Sequence, residues 1–301
     1  MDPARPPGAL ARHGAVSLGA IAGTLLRHGQ GAFLAAALPG SFPWGTFSIN
    51  VAGTVALCAF LAALAETAGA HPLWRPFFAV GFCGGYTTFS SFELETLTLA
   101  RKGETGVALG YVFASVALGL VAGFLGAAAV TAARRLHANL ATVPPLLLAP
   151  VFAFVVSGGA LLVTGRVAAG PDLALGCAAV ALGGALGSMA RYAGGGFVSF
   201  KLGSFFPWGT IIINVTGSFL IGLYDGVASR PAGLPPLARL FLVTGCLGGY
   251  TTFSTFAYET LALAREGSRG RAAANVTGSV LLGFAAAFAG RALGVFLVEG
   301  T

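Results

Sequence analysis

Gly81-Phe82-Cys83-Gly84-Gly85-Tyr86-Thr87-Thr88-Phe89-Ser90-Ser91-Phe92-Glu93-Leu94-Glu95 opens on glycines, which hold a helix poorly, runs through hydroxyls and two phenylalanines, and closes on acids. The chain writes it again 164 residues later, without a gap, as Gly245-Cys246-Leu247-Gly248-Gly249-Tyr250-Thr251-Thr252-Phe253-Ser254-Thr255-Phe256-Ala257-Tyr258-Glu259. The same offset carries Phe42-Pro43-Trp44-Gly45-Thr46 onto Phe206-Pro207-Trp208-Gly209-Thr210, Asn50 onto Asn214, Arg27 onto Arg191 and Arg101 onto Arg265. A duplicated unit explains all of these at once.

The setting of the duplicated stretch is apolar. Of 301 residues 56% are hydrophobic and 9% charged, with a mean hydropathy of +0.83. Soluble domains carry about 25% charged residues, so this chain cannot cover a water-facing surface and is expected to be a polytopic all-α membrane protein. A bilayer span needs roughly 20 apolar residues. Nine runs qualify: 15–37, 44–65, 76–100, 105–130, 145–165, 173–199, 208–227, 237–263 and 272–297. The net charge of +7 is scattered between these runs and forms no stripe for nucleic acid.

Four runs on each side of 145–165 make two four-helix repeats, 15–137 and 171–301, with a tail at 1–14 and a linker at 138–170. Leu146–Thr164 holds no charge and reads as a lone ninth helix. Its topological consequence is large. After four spans and one linker span, the second repeat enters the membrane from the opposite side, so the two are inverted repeats. Nine basic residues fall on the N-terminal side and six on the other, which favours a cytoplasmic N-terminus. The plasma membrane is the expected location.

Several residue types in the repeat can serve an ion. Paired glycines usually mean close helix packing. Followed in mid-span by Tyr-Thr-Thr, they also allow a helix break that frees backbone groups, as at ion sites. Thr87, Thr88, Ser90 and Ser91, with Thr251, Thr252, Ser254 and Thr255, can each satisfy themselves on the preceding turn, but such a run written twice offers a line of donors. Asn50 and Asn214 add amides that serve equally well as glue between helices. Phe89 and Phe92 lie on one helical face, and an aromatic edge is electropositive. Arg27 and Arg191 lie in or near the end of apolar spans, where charge is costly and usually functional unless it snorkels. All of these point to an anion.

Other chemistries are disfavoured. The four histidines are His13, His28, His71 and His137, so the second repeat has none and a duplicated His-based catalytic site is excluded. Cys58, Cys83, Cys177 and Cys246 sit in apolar runs without metal-ligand spacing. No enzyme is expected.

With these residues in view, the chain resembles the fluoride channel family (CrcB/Fluc), on Gly-x-x-Gly-Gly-Tyr-Thr-Thr-Phe-Ser-[Ser/Thr]-Phe and Pro-Trp-Gly-Thr-x-x-x-Asn-Val in both repeats. Two copies in one chain are similar to the fused eukaryotic form, FEX. The resemblance implies an antiparallel pseudo-dimer that functions as a single chain, with passive fluoride export and no obligate partner. It would place Phe89, Phe92, Phe253 and Phe256 edge-on to fluoride, Thr88, Ser90, Ser91, Thr252, Ser254 and Thr255 as a hydroxyl track, and Asn50 and Asn214 as pore amides. Ser115 and Ser279 would be fourth-span serines, and Arg27 and Arg191 would draw the anion into the vestibules. Backbone carbonyls at Gly84, Gly85, Gly248 and Gly249 would hold a structural sodium ion. The alternative is a proton-coupled small multidrug-type exporter. That mechanism needs an acid in the first span of each repeat, where both copies carry arginine. The copies also differ: Glu93 stands opposite Ala257, and Tyr111 opposite Asn275.

Overall fold

The computed structural model describes residues 7–65, 67, 69–136, 171–228 and 234–299. The first repeat contains α1 (Ala9–Ala37), α2 (Trp44–Ala65), a wide π-helical segment π1 (Arg75–Cys83), the single turn α3 (Gly84–Tyr86), α4 (Ser90–Arg101) and α5 (Thr105–Leu136). The second contains α6 (Pro171–Leu202), α7 (Trp208–Val227), α8 (Pro236–Arg239), π2 (Leu240–Leu247), α9 (Gly248–Tyr250), α10 (Phe253–Arg265) and α11 (Arg269–Glu299). No strand occurs among the described residues. Seven helical stretches among them are long and apolar enough to cross a bilayer.

The polarity of the molecule is inside out. Phe113, Phe124, Leu182, Phe200, Leu281 and Phe296 stand exposed, while Thr24, Asn50, Thr54, Ser90, Glu93, Asn214, Ser218 and Asn275 are buried. Water would reverse this sorting; lipid enforces it, because an unpaired polar group facing hydrocarbon costs several kcal/mol. The protein is an integral multi-pass membrane protein.

The expected runs and the described helices agree in part. The glycine-led runs 76–100 and 237–263 carry the breaks that the sequence allows, the first at residues 87–89 and the second at 251–252. α1 begins at Ala9, inside the stretch assigned to a tail. The linker run 145–165, and with it the count of nine, lies outside the described residues.

Within each repeat the first helix lies backbone to backbone on the π segment. A methyl added at Gly19 or Gly23 would run into the carbonyls of Phe77 and Phe82, and one at Gly183 or Gly187 into those of Phe241 and Cys246. Only glycine permits that approach. Between repeats, α1 packs on α6 in opposing sense: Thr24 meets Gly184, and His13 stacks edge-on to Tyr192 at 5.4 Å. As numbering rises on one helix it falls on the other.

Candidate functional site

The site grows out of the two helix breaks. Thr87 and Thr251 adopt extended backbone (ψ 156° and 163°), which stops the helical ladder after Tyr86 and Tyr250. An asparagine from the second helix of each repeat then replaces the missing bonds. Asn50 Nδ2 donates to Thr88 O and its Oδ1 accepts from Thr88 N, both at 3.0 Å. Asn214 does the same for Thr252, at 3.1 and 3.0 Å. Each amide therefore spends its oxygen and one N–H on holding the break open, and keeps one N–H free of these bonds.

Thr87 and Thr251 cap the helices of the opposite repeat. Thr251 Oγ1 accepts from Phe89 N at 3.2 Å and Ser90 N at 3.1 Å, at the start of α4. Thr87 Oγ1 accepts from Ser254 N at 3.2 Å, near the start of α10. Ser90 and Ser254 complete this central hub, 3.0 Å from Thr251 and Thr87 respectively. Thr88 bonds Ser91 at 3.2 Å, and Thr252 bonds Thr255 at 3.1 Å. The six hydroxyls of the expected track thus form one network with Thr87 and Thr251, since Thr88 also lies 3.3 Å from Thr251 and Thr252 3.3 Å from Thr87. The mutual capping by Thr87 and Thr251 was missed; non-helical backbone at both positions, visible only in the fold, is its signal.

The four phenylalanines converge just beyond the hub. All four are 0% exposed. Ring centroids lie 5.5 Å apart for Phe89 and Phe256 and 5.8 Å for Phe92 and Phe253, with interplanar angles of 70° and 74°. Two long helices flank them. On α5, Tyr111, Ser115 and Gly119 share one face at spacings of four; Tyr111 packs on Phe92 at 5.3 Å, and a Cβ at Gly119 would meet Phe253 at 2.8 Å. On α11 the equivalent face is Asn275, Ser279 and Gly283, and a Cβ at Gly283 would meet Phe89 at 2.9 Å. Ser115 Oγ is buried without a partner, whereas Ser279 Oγ donates to Asn275 at 3.4 Å.

The acids following the motif separate the two sides. Glu95 accepts from Thr46 Oγ1 and from the Tyr111 hydroxyl, both at 2.7 Å. Its counterpart Glu259 bonds Thr210, but Asn275 replaces the tyrosine and turns to Thr260 at 2.8 Å, leaving Glu259 Oε2 unpartnered. Glu93 is wholly buried with both oxygens unpartnered, and Ala257 faces the other side.

Arg27 and Arg191 are 6% and 8% exposed. Each reaches into the opposite repeat. Arg27 donates to Thr244 O at 2.5 Å and its guanidinium abuts Gly248; Arg191 donates to Val80 O at 2.7 Å and abuts Gly84. Aligned in lipid-buried helices, they reach buried carbonyls rather than snorkelling. Arg191 also lines a cleft of about 280 Å³ that is bordered by Thr252, Thr255 and Glu259.

The breaks leave carbonyls suited to a hard cation. The amides that would bond Gly84, Gly85 and Tyr86 O in a continuous helix are those of Thr88, Phe89 and Ser90, which go to Asn50 and Thr251. Thr252 N and Ser254 N are diverted likewise from Gly248 and Tyr250, while Gly249 O receives the Ser188 hydroxyl at 3.1 Å. Freed oxygens at two helix C-termini, with α3 packed on α9, fit sodium by donor type. No cluster of His, Cys, Asp and Glu suited to a metal occurs among the described residues.

Comparison with known proteins agrees with the duplication. The family model described as CrcB-like protein, Camphor Resistance (CrcB), matches residues 14–127 and again 178–291. A relative from Nitrobacter winogradskyi is 55% identical over 112 residues, which are 37% of this chain and 89% of that protein. One from Thermus thermophilus is 52% identical over 119 residues, 40% of this chain and 93% of that protein. One from Opitutus terrae is 46% identical over 127 residues, 40% of this chain and 96% of that protein. Each of these three is named a fluoride-specific ion channel, FluC.

Proposed function

The chain belongs to the CrcB family, and on that premise we propose that it is a fluoride-selective passive channel, not an enzyme, that lets cytoplasmic fluoride leave across the plasma membrane. The observation that carries this reading is the convergence of four buried phenylalanine edges beyond a hub of mutually capped breaks, written once per repeat. Relatives named as fluoride channels align over nearly their whole length with about two fifths of this chain, and this chain carries the family unit twice.

The architecture we infer is an intramolecular antiparallel pair of four-helix units. The opposing sense of the α1–α6 contacts supports it, as does the reciprocity of contacts such as Arg27 with Gly248 and Arg191 with Gly84. A linker helix at 145–165, giving nine spans, would supply the inversion. Two paths follow. One runs along α5 past Tyr111, Ser115, Phe92 and Phe253; the other runs along α11 past Asn275, Ser279, Phe89 and Phe256.

Fluoride is small and strongly hydrated, so only closely spaced donors can replace its water. Ser91, Thr255, Ser115 and Ser279 offer hydroxyls, Asn50 and Asn214 their remaining N–H, and the phenylalanines their electropositive edges. A narrow path of this kind excludes the larger chloride. Arg27 and Arg191, buried against the breaks, add positive potential near both paths. Gly84, Gly85, Gly248 and Gly249 would hold a structural sodium through their carbonyls; when bound, the ion balances the negative ends of the half-helices meeting there.

Purified protein in liposomes loaded with potassium fluoride tests the reading. Efflux should appear on adding valinomycin, with no matching chloride efflux. Cationic-drug uptake driven by a pH gradient, without fluoride flux, would instead support the exporter.

A further inference from the structure

We propose that the Glu93 carboxyl is a proton site that decides whether the α11-side path admits the anion. The proposal rests on the channel reading above. Glu93 is 0% exposed and neither oxygen has a hydrogen-bond partner. It follows Phe89 by one turn of α4 and lies against α11 at Gly283, where an added Cβ would come 2.8 Å from its Oε1 and 2.9 Å from the Phe89 ring. At Gly119, the counterpart on α5, the added Cβ would meet only Phe253, because Ala257 stands in place of the acid. The same point faces a carboxyl in one path and only the ring in the other.

The groups around Glu93 leave it to itself. On α4, Glu95 is committed to Thr46 and Tyr111, and Arg101 pairs with Asp225 at 3.7 Å, two turns away. On α5, Tyr111 gives its hydroxyl to Glu95. On α7, Asp225 also pairs with Arg291 of α11, again two turns from Gly283, and Tyr224 lies beside it in sequence. α2 carries no charged residue, only Cys58. None of these donates to Glu93.

The carboxyl has two forms with opposite consequences. Ionised, it presents only acceptors and a negative charge, and an anion beside Phe89 is repelled. Protonated, it carries an O–H that can donate to that anion. Proton and fluoride at this site therefore favour each other by the same factor. The α5-side path, with Ala257, carries no such condition.

The test is valinomycin-dependent fluoride efflux at symmetric pH, from about pH 8 down to about pH 6, with protein-free vesicles subtracting leakage of the neutral acid. The parent should show a pH-independent component plus one that grows with acidity. Gly119→Val, which wedges the α5-side path against Phe253, should leave only the acid-activated component, changing by up to about tenfold per pH unit. Adding Glu93→Gln, whose amide always donates, should make that remaining flux independent of pH. A pH-independent flux in Gly119→Val, or acid activation that survives Glu93→Gln, overturns the proposal. If Gly119→Val does not fold, Glu93→Gln alone decides, since it must abolish the acid-activated component of the intact chain. A parent that conducts fluoride without any acid activation refutes the proton site while leaving the channel standing. A parent that passes no fluoride at any pH refutes the channel itself.

Discussion

Replacing Thr251 by valine removes one oxygen and keeps the shape of the side chain. The backbone at Thr251 is extended (φ −91°, ψ 163°), a conformation β-branched residues favour, so valine brings no backbone penalty of its own. What it removes is the acceptor for two buried amides, Phe89 N and Ser90 N. Leaving a buried donor unsatisfied costs about 1–3 kcal/mol, so the change should destabilise by about 2–6 kcal/mol. Thr87→Val removes the acceptor for one amide, Ser254 N, and should cost about 1–3 kcal/mol. Thr251→Ser keeps the oxygen and should cost about 1 kcal/mol for the lost methyl. Thermal unfolding in detergent, followed by tryptophan fluorescence, should rank the variants: parent, Thr251→Ser, Thr87→Val, then Thr251→Val as the least stable. Fluoride flux should fall in the same order, because both hydroxyls fix the helix starts that carry the phenylalanines. If Thr251→Val melts and conducts like Thr251→Ser, mutual capping across the repeats is not what holds the hub.

Gly84→Ala and Gly248→Ala should each lower flux and melting temperature, since the added methyl occupies the place of the Arg191 or Arg27 guanidinium; the test is whether pairing Gly84→Ala with Arg191→Lys, whose ammonium is more compact than the planar guanidinium, recovers part of the loss in flux. Single cysteines at Arg12 and Pro171, in a chain lacking the native four, should label from opposite faces of the membrane, and labelling from one face would remove the inverted repeat. Exchanging sodium for N-methylglucamine throughout purification should lower the melting temperature and the flux together. An unchanged melting temperature would count against a structural ion at the breaks. Tyr111→Phe strips one of the two donors from Glu95 and should alter flux through the α5-side path, whereas Asn275→Ala leaves Glu259 with the partner it already has. Equal effects of the two changes would show that the sides are chemically equivalent.

Membrane character was legible from composition, because no arrangement of so few charges can cover a surface in water. The duplication was legible from one offset, and with it the pairing of Phe89 with Phe253 and of Asn50 with Asn214. The glycine run announced a break, since adjacent glycines lower the cost of leaving the helix. These are properties of local chain energetics and of self-similarity, and a sequence carries both in full.

Partnership across space was not legible. Thr87 and Thr251 read as two hydroxyls among eight; only the crossing of the repeats makes each the cap of the other's helix. Arg27 and Arg191 read as costly charges in apolar spans, but not as partners of carbonyls in the opposite repeat, a contact more than 100 residues away in sequence. Glu93 and Glu95, two residues apart and chemically alike, point to different neighbours. One meets Thr46 and Tyr111; the other meets a glycine and a ring, with no donor in reach. Residue type sets what a side chain can donate, accept or repel. Only the packing of distant segments decides whether a partner is there to meet it, because in a medium without water that partner must come from the protein.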